Sequence, residues 1–313
     1  MKISLYSSDD RLEWNDFISK AKNSHFMFYR EYMDYHSDRF TDFSIMIRSD
    51  KQELLGVLPA NISQKILYSH QGLTFGGICI KKEATTNLVL DIFSSLINFL
   101  KKTDKVEKLI YKRIPDFYAS YPSQEDLYAL FTLDSKLFRR DVSVTIDLER
   151  PLTFNSIRTK QIKKATKNNI LVCETEHLTD FWNLLELVLH ARHGVSPVHS
   201  LSEIELLRQQ FPENIKCFVA KKDNEVISGA LIFENRDVVH TKYLANGSLG
   251  RELGALDFLI SDLIKKYSKT KRYFDFGIST ENSGRSLNKG LISQKEGFGA
   301  RAFVHDFFSL SLD

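Results

Sequence analysis

Ten residues, Asn246-Gly247-Ser-Leu-Gly250-Arg251-Glu-Leu-Gly254-Ala255, lie between a strand-like run and a helix-like run. Gly247, Gly250 and Gly254 let backbone N–H groups turn toward an anion, and Arg251 adds a fixed cation. A helix opening at Ala255 adds the positive end of its dipole. Those groups suit phosphate; a glycine-rich turn with no ligand is the alternative. A second glycine-rich segment, residues 69–77, sets His70, Gln71 and Thr74 beside Gly72, Gly76 and Gly77. Glycine permits close backbone approach, so this segment suits a polar ligand, or else a turn at a strand edge.

Other polar clusters are less specific. Arg192 and His193 end a helical pattern, and His199 follows beyond a Gly and a Pro. They can bind a phosphate or carboxylate, while a histidine that simply caps its helix accounts for His193. Asp275 and Glu281 lie in and just beyond a strand. Carboxylates in such places can accept protons, or else hydrogen-bond to nearby backbone and water. Lys112, with Arg113 and Tyr118, ends a strand in the first half and suits an acidic ligand such as the phosphates of a nucleotide sugar. Arg158, Lys160, Lys163, Lys164 and Lys167 make one basic helix, read as a solvated face; the other reading is contact with phosphates of a cofactor or a tRNA arm. Cys79, Cys173 and Cys217 are far apart and show no metal-ligand spacing, so no metal site is expected. Three thiols inside predicted strands, expected to be buried and free, fit a reducing compartment.

These residues need elements to hold them, and the elements occur twice. Trp14 and Phe17 open a helix, and Asp50-Lys-Gln-Glu-Leu-Leu-Gly56 follows as a strand–turn–strand. Phe181-Trp182 opens another helix, and Asp223-Asn-Glu-Val-Ile-Ser-Gly229 follows at a similar remove. Leu90-Asp91 and Leu256-Asp257 then lie in the later apolar helices of the two halves. The periodicities predict, in each half, a strand, two helices, a three-stranded meander, a helix, a strand, a short helix and a closing strand. The short helix of the second half is expected near 284–291. Arg150-Pro151 punctuates the middle, so residues 1–150 and 151–313 are expected to be two domains. Hairpins with crossover helices imply an α/β architecture with mixed, mostly antiparallel sheets flanked by helices.

Composition bounds the rest. With 42% hydrophobic and 27% charged residues, a chain of 313 residues has material for two ordinary cores. A net charge of +3 demands neither DNA nor an anionic membrane as partner. The longest apolar stretch, 88–100, is broken by Asp91, Ser94, Ser95 and Asn98, and the N-terminus has no secretory apolar segment, so a cytoplasmic protein without membrane insertion is expected.

The element order, Phe181-Trp182 on its long helix, Asp275-Phe-Gly277, and Gly290-Leu-Ile-Ser-Gln-Lys295-Glu-Gly-Phe298-Gly299 together resemble the GNAT acyltransferases. Doubled, the pattern resembles their Fem-like branch, and the 69–77 segment resembles its acceptor-side loop. The resemblance implies two tandem GNAT-like domains and acyl transfer to an amine. The donor would be acyl-CoA, acetyl-CoA first, held by the second domain. The acceptor, a small amine, amino sugar or nucleotide sugar of surface-glycan assembly, would meet the first. GNAT enzymes hold the pyrophosphate with Arg or Gln, two residues, Gly, one residue, then Gly or Ala. Arg251 and Gly254 match, and Leu256 departs. Under the resemblance Asp275 or Glu281 would take the amine's proton, Lys295 would face the reacting acyl group, and Tyr243 would protonate the leaving thiolate. Aminoacyl-tRNA as donor is the alternative within the same fold, and a non-catalytic binding protein the alternative outside it.

Overall fold

The computed structural model describes residues 1–312, with the side chain of His193 outside the described part. The chain forms two compact units. Residues 1–141, 282–285 and those from 304 onward make the first; residues 142–281 and 286–303 make the second. This differs from a division at residue 150. The passage between units falls inside the long strand Lys136–Asp147, and the last strand, Arg301–Ser311, is divided likewise. Arg150-Pro151 does mark a turn, where Arg150 grips the Asp147 carboxylate at 2.8 Å. A turn signal is local, however, and does not say which core a neighbouring strand joins.

In the second unit the strand order is Leu171–Thr175, Ile215–Lys222, Glu225–Glu234, Val238–Asn246, Tyr273–Ile278, then the 142–147 end of the long strand. All ladders are antiparallel except that between Val238–Asn246 and Tyr273–Ile278. Asp223 and Asn224 have φ of 48° and 68° and close the first hairpin, the geometry that favours Asx residues in two-residue turns. Helix Ala255–Tyr267 buries Leu256, Leu259, Ile260 and Leu263 against Ala230, Ile232, Val239 and Phe274 on one face of the sheet. Helix Thr179–His193 covers the opposite face. Phe181 lies so close to Gly229 that a Cβ there would be 2.4 Å from its ring, and Trp182 meets Tyr243 edge-on at 5.6 Å.

Two expectations fail locally. The short helix runs over Lys289–Glu296, because Asn288 caps it by accepting the Leu291 N–H and because residues 280–281 and 286–287 form a small hairpin instead. The glycine-rich segment after Val238–Asn246 is not an open loop: Ser248–Leu253 is helical and ends at Gly254 with φ of 75°. Cys173 is exposed on a strand bonded on one side only, whereas Cys79 and Cys217 are buried.

The first unit splits its strands. Lys2–Leu5, Ile45–Arg48, Leu54–Leu58 and Cys79–Ile80 form one sheet. Lys108–Lys112 runs parallel to Ile66–Tyr68 on one edge and antiparallel to residues 307–311 on the other. The hairpin of Asn61–Ser63 with Ile66–Tyr68 therefore occupies an edge of Lys108–Lys112. Ser69 locks the join, its hydroxyl donating to the Lys112 carbonyl at 3.0 Å and accepting the Lys112 N–H at 2.7 Å. Helix Thr86–Lys102 buries Val89, Ile92, Phe93, Leu96 and Leu100 in the core shared with Ile45, Ile47 and Leu109.

Gly76 makes the tightest of these contacts, since a Cβ there would stand 1.8 Å from the Ser69 carbonyl oxygen. Backbone cannot yield as a side chain can. Gly76→Ala is expected to lower unfolding free energy by roughly 3 kcal/mol, read from urea denaturation; an unchanged midpoint would contradict this packing.

Candidate functional site

Strands Val238–Asn246 and Tyr273–Ile278 are neighbours only over 238–240 and 273–275. Beyond that rung the first continues along Glu225–Glu234 after a register shift at Leu231/Ile232. The second follows the 142–147 strand with an irregularity between Asp275 and Ile278. Such irregularities bend strands and increase twist, so the two part. A cavity of about 140 Å³ is lined by Leu244 and Asn246 from one strand, Phe276 from the other, and Val188, Leu256 and Lys295 from helices. It shares Arg192, Asn246, Leu256 and Gln294 with a larger, polar basin of about 400 Å³ that also holds Arg158, Gln161 and Arg251. Asn246 Oδ1 and Gln161 Oε1 are buried there without hydrogen-bond partners among the described residues. Buried acceptors without donors are costly, so both suit a ligand carrying N–H groups.

Lys295 supplies the charge at the apolar end. It is 5% exposed, and its Nζ donates to the carbonyls of Gly277 at 2.9 Å and Ile278 at 2.7 Å. Burial lowers its pKa to about 8, with Asp275 pulling the other way. At neutral pH it is therefore mostly an ammonium, and two of its three N–H bonds are used. Asp275 is 1% exposed. Burial alone would raise its pKa, but the hydrogen bond and charge of His240, the Gly277 N–H and Ser143 bring it down to about 2. Oδ1 accepts from Ser143 at 2.8 Å, Thr145 at 3.0 Å and the Gly277 N–H at 3.0 Å, and Oδ2 pairs with His240 Nδ1 at 2.8 Å. With both oxygens engaged, Asp275 is a fixed anion rather than a base open to substrate.

The other expected residues scatter. Gly250 and Gly254 serve close packing, for a Cβ would approach the carbonyls of Ile227 at 2.3 Å and Gln161 at 2.4 Å respectively. The Gly247 N–H donates to the Ile227 carbonyl at 3.0 Å, and Asp257, in the first turn of the helix that Ala255 opens, pairs with Arg158 at 2.6 Å. That carboxylate already meets the helix dipole, so anion-binding capacity comes mainly from side chains. Arg251 lines the basin and donates to the Asn246 carbonyl at 2.8 Å; Arg192 lines both cavities and has no ionic partner among the described residues. His199 and Tyr243 hold each other at 2.7 Å under Trp182, and burial raises the Tyr243 pKa to about 12. Glu281 is exposed and accepts from Asn288 at 2.8 Å.

In the first unit the predicted residues hold their own segment shut. His70 is buried with φ of 66°, stacks on His36 at 5.3 Å, and accepts the Gly72 N–H. Burial, then the charges of His36, Lys112 and Arg30, push its pKa well down. Gln71 exchanges two hydrogen bonds with Asn61, both 2.8 Å, and Thr74 is half-buried. Lys112 is buried and donates to the Leu73 carbonyl, and Tyr118 packs against Phe75 at 4.6 Å. His240 was missed from sequence. Its only signal was an imidazole in a strand otherwise reading Val-Val-x-Thr, and its partner stands 35 residues away.

No protein-family model matches the chain, and no curated protein matches it in sequence. Solved structures do. Over 99% of this chain and 97% of the other, it superposes on FemX with a TM-score of 0.69 at 12% identity. L-PGS from Bacillus licheniformis gives 0.63 at 10% identity, covering 99% and 93%. A tandem GNAT protein from the clavulanic acid biosynthesis pathway gives 0.54 at 9% identity, covering 100% and 98%. The fold is that of the Fem-like tandem GNAT proteins. Identities this low establish architecture and leave the chemistry to the residues. No helix among the described residues is long and apolar enough to cross a membrane.

Asp275 carries a stability signature. Its folded pKa is depressed, so its contribution is present above the ordinary carboxylate range and is lost as pH falls toward about 2. The depression corresponds to about 2 kcal/mol. Denaturation between pH 5 and 2 is expected to show that loss in the native protein and a shallower slope in Asp275→Asn; equal slopes would contradict it.

Proposed function

We propose that this protein is an N-acyltransferase that moves an acyl group, acetyl in the simplest case, from a coenzyme A thioester to an amine. The parted strands carry the reading: an apolar cavity with a buried ammonium at its wall opens beside a basin bearing arginines. The acyl end suits the space among Leu244, Phe276 and Leu256. The amide N–H groups of the pantetheine arm suit the orphaned acceptors of Asn246 and Gln161, and the phosphates suit Arg192 and Arg251. The amine attacks the carbonyl directly, and the Lys295 ammonium stabilises the oxyanion of the tetrahedral intermediate. A small amine or amino sugar is the acceptor class proposed, a nucleotide sugar among them.

One observation favours a second donor. Lys160, Lys163, Lys164 and Lys167 are exposed on one stripe of helix Ser156–Lys167, with no ionic partner among the described residues. Like charges at that spacing oppose each other, and a polyanion such as aminoacyl-tRNA would relieve them. FemX and L-PGS share the fold. Calorimetry with acetyl-CoA and, separately, with charged tRNA distinguishes the donors.

Arg192→Gln is expected to weaken acetyl-CoA binding about tenfold, the loss of one charge-assisted contact. Lys295→Met is expected to cut kcat about 100-fold with donor Kd nearly unchanged. Because burial holds the Lys295 pKa to about 8, kcat should decline as pH rises through that value, and Lys295→Arg should move the decline upward. Tight tRNA binding with no response to acetyl-CoA would replace the coenzyme A reading with the second one.

A further inference from the structure

We infer that the acyl group this protein takes from its donor is a neutral aliphatic chain of about four to six carbons, seated in the apolar cavity of the second unit. The inference rests on the acyltransferase reading and deepens it by naming the acyl class. The cavity measures about 140 Å³, and its apolar walls are Val188, Leu244, Leu256, Ile260, Phe276 and Phe298. An apolar cavity of roughly 150 Å³ holds one benzene molecule, so this one holds about six carbons. A methyl group alone would leave most of that space empty. Water fills it poorly, because leucine, isoleucine and phenylalanine walls offer no hydrogen-bond partners. Walls facing a void forfeit dispersion contacts, and a longer chain restores them.

The floor of the cavity is fixed. Ile260, Phe276 and Phe298 are buried in the core of the unit. The Phe276 and Phe298 rings stack at 5.8 Å, and Phe154 meets Phe298 edge-on at 5.4 Å. Close packing behind the rings keeps the walls from collapsing inward, so the space is preformed. The rim differs. Val188 and Leu244 are half-buried and Leu291 is exposed. Arg192, Asn246 and Leu256 line both the cavity and the polar basin. A ligand laid from basin to cavity therefore passes from polar surroundings to apolar ones. A coenzyme A thioester has that order, from its phosphates to its acyl tail.

Charge selects a neutral tail. The charged residues on the lining are Arg192 and Lys295, and no carboxylate joins them among the described residues. A tail ending in an ammonium would meet two cations and no anion. A tail ending in a carboxylate would carry its charge to the Phe276 and Phe298 rings, which give it no donor. Lys295 marks the reacting end. Its Nζ is tied to the carbonyls of Gly277 and Ile278, the two residues after Phe276, which fixes the cation at the head of that wall. The thioester carbonyl belongs beside it and the tail beyond. The transfer balances: the amine nitrogen bonds to the carbonyl carbon, and the C–S bond breaks with its electron pair on sulfur. One proton leaves the nitrogen and ends on that sulfur. The products are the amide of a short fatty acid and free coenzyme A.

The test titrates native protein by calorimetry with acetyl-, butyryl-, hexanoyl-, octanoyl- and succinyl-CoA, and separately with charged tRNA; none of these needs a known acceptor. Each buried methylene is worth about fourfold in Kd, so butyryl-CoA is expected to bind about tenfold more tightly than acetyl-CoA. Hexanoyl-CoA should bind tightest. Octanoyl-CoA should bind more weakly because its tail exceeds the cavity, and succinyl-CoA more weakly than butyryl-CoA. Val188→Phe, at the half-buried rim, should cut the preference for hexanoyl over acetyl about tenfold. Leu256→Ala should move the optimum to octanoyl-CoA. Equal Kd values across the thioesters, or tightest binding of acetyl-, octanoyl- or succinyl-CoA by native protein, overturn the inference and leave the coenzyme A reading standing. No binding of any thioester overturns that reading, and the inference with it, whether or not charged tRNA binds.

Discussion

A buried anion sets the terms for the second unit. A carboxylate out of water must be surrounded by donors or give up its charge. Asp275 draws its donors from three neighbouring strands: Ser143 and Thr145 on one side, His240 on the other, and the Gly277 N–H from its own. Those bonds pin the strands together at one level, the last at which Val238–Asn246 and Tyr273–Ile278 are paired. Below the pin the sheet is closed. Above it the strands are free to part, and the gap becomes the cavity. The same pin turns the chain at Gly277, which presents two carbonyls, its own and that of Ile278, to Lys295. One polar cluster thereby holds the sheet, opens it and seats its cation.

The first unit closes over the end of Lys108–Lys112. Lys108–Lys112 has a strand on each side, and the 69–77 segment folds back on its end, with Gly76 pressed on Ser69. Its polar residues, so suggestive in sequence, spend their hydrogen bonds inside that closure. Glycines there permit backbone to meet backbone, not backbone to meet ligand. The same holds in the second unit for Gly250, which lets a short helix press on the Ile227 carbonyl, and for Gly254, which lets the chain approach the Gln161 carbonyl in the helix of residues 156–167. In both places the glycine-rich segment is a packing device.

Most elements were legible because periodicity reports burial directly. The apolar stripe from Val89 to Leu100 and that from Leu256 to Ile264 each have one solution, and the Asp223-Asn224 turn follows from the preference of Asx residues for positive φ. Lys295 and Arg192, marked in the sequence as a lysine in a patterned segment and an arginine ending a helix, both line the cavity. The His240–Asp275 pair was not legible, because nothing in a sequence joins two residues 35 apart on parallel strands. The strand Asn61–Ser63 escaped for a related reason: three residues of weak pattern become a strand only through their partner.

By itself the sequence determined the helices, the hairpins, the doubling of the pattern and the absence of metal-ligand spacing, since these depend on residue type and local repeat alone. Tertiary structure decided which carboxylate is buried, which histidine it holds, where the two strands separate and which glycines touch protein. Those outcomes turn on desolvation and on contacts between distant segments, and such energies exist only once the segments have met.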